Sequence, residues 1–538
     1  MPADEPDIDV LVVGAGPTGL ALATQLAEYG VRFRLVDRQL DRVNESRALG
    51  VQPRTLEVLA GLGAADELIE RGNRAVRVQM HFRRRVVPVR LFDIGVDDTA
   101  YPFLLFVSQA ETERILGEHV ARRGGILERG VEVTELVQTD KSVSCWLLHR
   151  NGHEESVETR YVVGCDGARS TVRDKAGIAF EGSAYPQTFV LADLEADGIE
   201  PGFAHAFISS SGILFFFPLG APATWRVLAM RPHTPEPPVG ITLDEVQALV
   251  DAYVTNRVRL RDPVWMTNFR LHNRGAAHYR VGRLFLAGDA AHIHSPAGAQ
   301  GMNTGIQDSV NLGWKLALVA ANVAEPSLLD SYEPERRPIG RRVLRFTDRA
   351  FTIATSGNPV IAFARTELAP HLAALALRIR PGRAFGFRTV SQLGIRYRNS
   401  PLSLEGPNTR CRGPRAGDRL PDAPISVNGS PSTLHRVVAA RGFHLLLCGP
   451  ATSWQASAVA YAIDGYGDLV AVHQLSRDAV PGVLADHSGL ALDRLGVSGG
   501  EAALYLVRPD GYVAYRAGGG DLTGLRAYLA QWLVTDRR

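Results

Sequence analysis

An α/β fold organised on a parallel sheet is predicted by three stretches of this 538-residue chain. The first, IDVLVVGAGPTGLALATQLAEYGVRFRLVDR, reads as a buried strand, a glycine turn, a helix and a second strand that ends at Asp37. The second and third, RYVVGCDG and GRLFLAGD, are apolar strands that stop on Asp166-Gly167 and Gly288-Asp289. Strands that halt on glycine and an acid place those residues at the carboxyl edge of a parallel sheet, where ligands bind.

The turn in the first stretch is G-x-G-x-x-G, formed by Gly14, Gly16 and Gly19, with Pro17 and Thr18 opening the helix. The first glycine allows the tight turn, the second lets a pyrophosphate approach the backbone, and the third lets helix and strand close together. The helix then offers free N–H groups and a partial positive charge to phosphate. Asp37, followed by Arg38, is placed to accept hydrogen bonds from ribose hydroxyls. Strand, turn, helix, second strand and acid in register predict a Rossmann-like dinucleotide site. Downstream, ESRALGVQPRTLEVLAGLG runs into an amphipathic helix, and Arg47 just before it can reach back to a pyrophosphate. A domain of NAD type would not need the two later glycine–acid stops.

Composition narrows the partners. The chain is 45% apolar and 22% charged with a net charge of +2, so nothing in the overall balance recruits nucleic acid or an anionic membrane. The basic run HFRRRVVPVR (81–90) is most simply the solvated face of a strand. Cys145, Cys165, Cys411 and Cys448 are scattered with no C-x-x-C pair, which argues against a disulfide framework, a zinc site or a dithiol centre. The acidic start MPADEPDID lacks the features of a secretory signal. No uncharged apolar run reaches the roughly 18 residues that span a bilayer. A cytoplasmic protein is expected.

The stretch GDAAHIHSPAGAQGMNTGIQDSVNLGWKL (288–316) combines five glycines, a proline and two alternating histidines with a helical apolar pattern. His292 and His294 could supply two metal ligands, but no cysteine or carboxylate cluster joins them, so no metal is assigned. Between residues 181 and 280, GILFFFPLG and TWRVLAM alternate with period two, as an antiparallel sheet with one buried face requires. Beyond the Pro/Gly/Arg-rich GPNTRCRGPRAGDRLPD lie strand-like FHLLLCG, ALYLVRPDGYVAYR and a final helix, LTGLRAYLAQWLV.

G-x-G-x-x-G, then D-G, then GDAAH followed by PAGAQGMN and a helix, resembles the FAD-dependent aromatic hydroxylases. These are the single-component flavoprotein monooxygenases of para-hydroxybenzoate and phenol hydroxylase type. LLDSYEPERRP (328–338) and Gln109 in FVSQAETERIL are similar to that family. VSQLGIRYRNSPL resembles the branch that hydroxylates polycyclic aromatic polyketides.

The resemblance implies an extended FAD. Gly14, Gly16, Pro17, Thr18, Gly19, Asp37, Arg38 and Arg47 would hold its adenosine half, and Gln109, Asp166, Gly288 and Asp289 would continue the site. Asp289 would take ribityl hydroxyls. The loop with Pro296, Gly298, Gly301, Met302 and Asn303 would press bare backbone on the ring, and the following helix would stabilise the anionic reduced flavin. The antiparallel sheet would roof an aromatic substrate with Phe207, Phe215, Phe217 and Arg226. Pro296, His294 and Arg226 are the catalytic candidates, with no general base assigned.

The implied division is a FAD-binding part at 1–180, a substrate sheet at 181–280, the return of the FAD-binding part with long helices at 281–400, and a thioredoxin-like unit at 405–538. That last unit lacks C-x-x-C, so its role is structural or in assembly. The implied reaction takes NADPH (NADH is also compatible) and O2 through a flavin C4a-hydroperoxide to hydroxylate a small phenolic, polyketide-like aromatic. No nucleic acid or membrane takes part, and a homodimer is compatible. Baeyer–Villiger or epoxidising chemistry on a similar substrate is the alternative, with a non-catalytic FAD-binding module behind it. The W-x-W-x-I-P of flavin halogenases is absent.

Overall fold

β1 (Ile8–Val13) is buried from its second residue on, as a central parallel strand covered on both faces requires. In this computed structural model the described residues are 6, 8–41, 48–75, 77–82, 85–89, 96–209, 212–219, 223–231, 240–254, 257–295, 298–356, 358–364, 367, 386–409, 412–478, 482–498 and 500–535. β1 leads into α1 (Pro17–Glu28), whose proline in the first turn forfeits no helical hydrogen bond. β2 (Phe33–Asp37), α2 (Pro53–Gly61) and β3 (Glu154–Gly164) follow.

The chain then leaves this layer for β4 (Phe180–Asp197), β5 (Ala204–Ser209), β6 (Gly212–Pro218), β7 (Trp225–Met230) and β8 (Arg259–Ala276). It returns through β9 (Leu284–Leu286), α3 (Gly301–Ala320) and α4 (Tyr332–Thr355). The last segment holds β10 (Phe443–Cys448), β11 (Ala503–Val507), β12 (Val513–Gly518) and α5 (Thr523–Trp532).

β9, β3, β1, β2 and the short strand Leu127–Arg129 lie side by side and parallel. Register aligns their ends: Val13 sits opposite Gly164, and Gly164 opposite Leu286. Gly14, Cys165-Asp166 and Gly288-Asp289 therefore emerge together at one edge, as the strand–glycine–acid pattern predicts.

In the second sheet β8, β4, β7, β6 and β5 are antiparallel in that order. Its far edge is a hairpin from earlier in the chain, Val78–Phe82 with Arg85–Val89, docked parallel on β5. This hairpin takes up most of the basic run 81–90, of which Arg83, Arg84 and Arg90 lie outside the described residues. At the near edge, Gly275 of β8 pairs with His292, which ties the sheet to the turn after β9.

In the third sheet β10 pairs with β11, and β11 with β12, all antiparallel. The main core runs without a break from β1 and α3 into β10 and α5, with Trp314 edge-on to Phe443 at 5.6 Å. Among the described residues no helix is long and apolar enough to cross a membrane, and no cluster of three or more His, Cys, Asp and Glu could hold a metal.

Candidate active site

The three glycines of the first turn have different surroundings. Gly14 has φ +101°, and a Cβ there would lie 2.5 Å from the Cys165 carbonyl oxygen. A Cβ on Gly19 would lie 1.9 Å from the Gly14 carbonyl oxygen, so glycine lets α1 close on the strand end. Gly16 has neither constraint: its φ is −74°, and no protein atom lies within 4 Å of its Cβ position. A glycine costs conformational entropy, and here neither the backbone nor the packing asks for one. The space it leaves, at the uncapped N-terminus of α1, fits a pyrophosphate. The Asp37 carboxylate accepts from the Ala15 and Gln39 N–H groups at 2.7 Å each, tying the end of β2 to the turn.

The second arm begins where β9 ends. Gly288 has φ +62°, and its Cβ would lie 2.5 Å from Thr18 Oγ1; a Cβ on Gly305 would lie 2.4 Å from the same atom. The Ser309 hydroxyl donates to the Thr18 carbonyl oxygen at 2.6 Å. The first turns of α1 and α3 thus abut, and both N-termini open on one sheet edge. Beneath this contact the buried Asp308 carboxylate accepts from Gly288 N–H (3.1 Å), His292 Nε2 (2.7 Å) and Arg336 Nε (2.6 Å). Burial alone would raise the Asp308 carboxyl; the Arg336 guanidinium and His292 outweigh it and hold the group below its ordinary value.

The second sheet supplies an aromatic face. Phe215 and Phe217 alternate outward on β6 and stack at 5.4 Å with 11° between ring planes. Around them lie Phe189, Phe269, Leu228, Met230 and Phe351 of α4. Phe217 also meets Phe106 at 5.8 Å, beside Leu49. The segment after Leu49 is fastened to α3: Asn303 Oδ1 accepts from Gln52 N–H (2.8 Å), and its Nδ2 donates to Gly50 O (2.7 Å) and Ala299 O (2.7 Å). The aromatic face therefore adjoins the segment pinned to the N-terminal turn of α3.

Comparison with known proteins fits this geometry. Residues 7–347 match the FAD binding domain family model, and residues 413–535 match that of the aromatic-ring hydroxylase C-terminal domain. The chain belongs to the FAD-dependent aromatic-ring hydroxylases. It is 34% identical to 6-methylpretetramide 4-monooxygenase of Streptomyces rimosus, over 98% of this chain and 94% of that one. Anhydrotetracycline hydroxylase from Streptomyces rimosus superposes with a TM-score of 0.77 at 32% identity, covering 97% of this chain and 98% of that chain. A ternary complex of aklavinone-11 hydroxylase with FAD and aklavinone gives 0.79 at 27% identity, covering 98% and 99%. The protein is a FAD-dependent monooxygenase.

Several residues singled out in this monooxygenase by sequence converge on the sheet edge: Gly14, Gly16, Pro17, Thr18, Gly19, Asp37, Asp166, Gly288 and Asp289. Asp166 Oδ2 accepts from the N–H groups of Thr171 (2.7 Å) and Val172 (3.2 Å), while burial raises its carboxyl. Asp289 is exposed, as is Arg38. Gln109 Oε1 accepts from Ala48 N–H at 3.3 Å, and its Nε2 donates to Glu113 at 2.8 Å. Gly298 (φ +78°) and Gly301 precede and open α3, and Met302 packs on the main core. The Asn303 side chain is spent on the protein backbone, which leaves its N–H at the helix start. Arg47 and Pro296 lie outside the described residues.

Two sequence expectations are corrected. Arg226 does not reach toward a substrate: it is fully buried, its Nε and Nη2 grip Asp193 at 2.6 Å each, and its Nη1 donates to Ala48 O at 3.1 Å. These bonds lock the side chain between the neighbouring strands β4 and β7 and tie them to the segment before Leu49. Phe207 does not join Phe215 and Phe217. It pairs with Leu214 across β5 and β6, which turns it to the opposite face, against Phe216 and the helix carrying Val246 and Val250. Asp308 and Arg336 were not singled out by sequence; the visible signal was an acid and an amide row inside an otherwise apolar helix. Tyr185, whose hydroxyl donates to Asp348 at 2.7 Å on the aromatic face, carried no such signal.

A cavity of about 440 Å³ lies elsewhere, between α2 and the C-terminal sheet, bordered by Arg54, Glu57, His435 and Asp510. It touches neither the Gly14–Gly19 turn nor Phe215 and Phe217, so it is separate from the sheet edge and the aromatic face.

Proposed function

We propose that this monooxygenase inserts one oxygen atom of O2 into a planar, phenolic, polyketide-type ring system lodged against Phe215 and Phe217, with NADPH as reductant. The stacked phenylalanine pair beside the N-terminal turn of α3 carries the reading: an aromatic wall suits a flat aromatic substrate. The relatives named for 6-methylpretetramide and aklavinone support the polycyclic class.

When bound, FAD supplies the redox chemistry that activates O2. This chain's residues do the rest. The Gly14–Gly19 turn and the α1 N-terminus hold the pyrophosphate, Asp37 the ribose, and Asp289 the ribityl hydroxyls. Gly298 and Gly301 leave room for the ring, with Gln109 and Asp166 flanking the site. The phenylalanines keep water from the reacting atoms.

His294 serves as an acceptor. Its Nδ1–H donates to Ser295 O at 2.8 Å, which leaves the Nε2 lone pair beside Gly301. Burial pushes its pKa down to about 4, so the ring stays neutral at pH 7 and can accept a hydrogen bond from the substrate hydroxyl. The four-part division of the chain, with a thioredoxin-like final unit, belongs to this reading.

Anaerobic bleaching of the flavin by NADPH, with and without a panel of phenols and polycyclic phenols, tests it. One aromatic should speed bleaching by orders of magnitude and then be recovered with one added oxygen in air. Fast bleaching without any aromatic would sink the substrate-gated reading, and a ring-expanded lactone product would make the chemistry Baeyer–Villiger. Asp289→Ala should raise the FAD dissociation constant about tenfold or more, since a hydrogen bond to a charged acceptor is worth about 1.5–3 kcal/mol. Flavin fluorescence on dilution reads this, and parent-like retention would remove Asp289 from the site.

A further inference from the structure

Six buried polar side chains, Gln300, Thr304, Gln307, Asp308, Asn311 and Lys315, form one stripe along and just before α3 at helical spacing. The stripe meets the C-terminal unit at the turn between β11 and β12. There Arg508 donates to both carboxylate oxygens of Glu335 (2.5 and 2.9 Å) and to both of Asp510 (2.9 and 2.5 Å). Asn311 Nδ2 donates to Glu335 (2.6 Å) and Asp510 (3.2 Å), and Lys315 Nζ donates to Glu335 (2.8 Å) and Asn311 Oδ1 (2.9 Å).

From this cluster one route runs to the sheet edge, and a second chain of hydrogen bonds lies along the same stripe of α3. The Arg508 guanidinium lies over the Tyr397 ring at 5.4 Å; the Tyr397 hydroxyl accepts from Arg336 at 2.7 Å; and Arg336 holds Asp308, which holds Gly288. Separately, Gln307 donates to Gln392, which donates to Gln300 (2.7 Å) and Thr304 (3.1 Å), and Gln300 donates to Gly298 O (2.7 Å). Arg508, Lys315 and Arg336 are matched by Glu335, Asp510 and Asp308, all buried, and the fork of Arg508 joins the Lys315–Glu335 pair to Asp510, so the C-terminal unit and the α3–α4 side share one ion-pair cluster. Lys315 of α3 reaches one Glu335 oxygen, and Arg508 grips both, so the carboxylate is held from the two units at once. A rigid helix clamped at such a cluster moves as a rod, so a shift at Arg508 is delivered to Gly301 and Gly288.

We propose that the β11–β12 turn, through Arg508 and Asp510, is a positioning element of the flavin site: it sets the placement of α3 and of the Gly288 turn, and so the affinity and reduction potential of the bound flavin. This rests on the reading that the α3 N-terminus faces the flavin. The C-terminal unit is then part of the cofactor site and not an appendage.

The test uses full-length, FAD-loaded enzyme and reads the FAD release rate and the flavin midpoint potential. Arg508→Met should release FAD at least about fivefold faster and shift the potential, a typical size for coupling between distant sites. Leu446→Ala, in the separate apolar cluster of the C-terminal unit, lowers stability without touching these charges and should move neither. Parent-like values in Arg508→Met, or equal shifts in Leu446→Ala, would overturn the proposal. If Arg508→Met does not fold, Arg508→Lys keeps the charge, loses the fork, and should give a smaller shift in the same direction; parent-like values there overturn it too. Gly301→Ala separates the underlying reading. Its Cβ meets only the His294 ring, at 3.5 Å, so the protein tolerates it. If Gly301→Ala keeps FAD, the placement of α3 at the flavin is wrong; if it loses FAD while Arg508→Met does not, only the role of Arg508 falls.

Discussion

Gly16→Val is expected to yield a folded, colourless protein. At φ −74° and ψ −179° the backbone accepts valine, and no protein atom stands within 4 Å of the new Cβ. Replacing a glycine without strain also reduces the entropy of the unfolded chain, worth about 0.4–1 kcal/mol in favour of the fold. The FAD-free variant should therefore melt at or slightly above the FAD-free parent. The branched side chain would occupy the space where the pyrophosphate approaches the α1 N-terminus, and FAD affinity should fall at least about a hundredfold, about 2.7 kcal/mol. Gly19→Ala supplies the contrast. Its Cβ would sit 1.9 Å from the Gly14 carbonyl oxygen, so stability itself should fall. Calorimetry of FAD-free protein beside a flavin titration separates the two. A Gly16→Val protein that binds FAD like the parent would mean that the space beside α1 does not serve the cofactor.

The two glycines also show what was legible beforehand. A dinucleotide turn is local: strand, turn and helix lie within thirty-odd residues, and each glycine answers a need within that span. The strands of the antiparallel sheet were legible as strands, but not with the single buried face expected: β7 is buried throughout, because apolar clusters pack on both faces of the sheet. Period two does not say which face a neighbouring strand shares. Phe207 went to the wrong face because pairing with Leu214 is a matter of register between β5 and β6. Arg226 was read as reaching for a substrate because its partner, Asp193, sits 33 positions away. The hairpin of residues 78–89 joins the sheet by parallel pairing across more than a hundred residues, and Arg508 meets Glu335 from 173 positions away. Burial creates these ion pairs, and no local pattern announces them.

Asp308 and Arg336 make the strongest case for that point. Both are fully buried, and each needs the other. Arg336→Met would keep the packing volume and remove the guanidinium, leaving the carboxylate with His292 and the Gly288 N–H. Breaking a buried pair by removing one partner costs about 3–5 kcal/mol, because the remaining charge stays out of water. In the parent, the Asp308 carboxyl is depressed below its ordinary value of 3.8. Its stabilisation is therefore present above that value and is lost only as pH falls through the lower, folded one. In the variant the largest remaining influence is burial, which raises the carboxyl. The sign then reverses: the variant gains relative stability as the acid becomes protonated, and loses it as pH rises through the raised value. The gap between parent and variant in denaturant melts should be wide at pH 8 and narrower at pH 5. Because Asp308 also holds Gly288, the variant should release FAD faster at pH 8 as well. A gap that is constant or grows toward pH 5 would show that Asp308 is not left as an uncompensated charge, and the assignment of Arg336 as its counter-ion would fall.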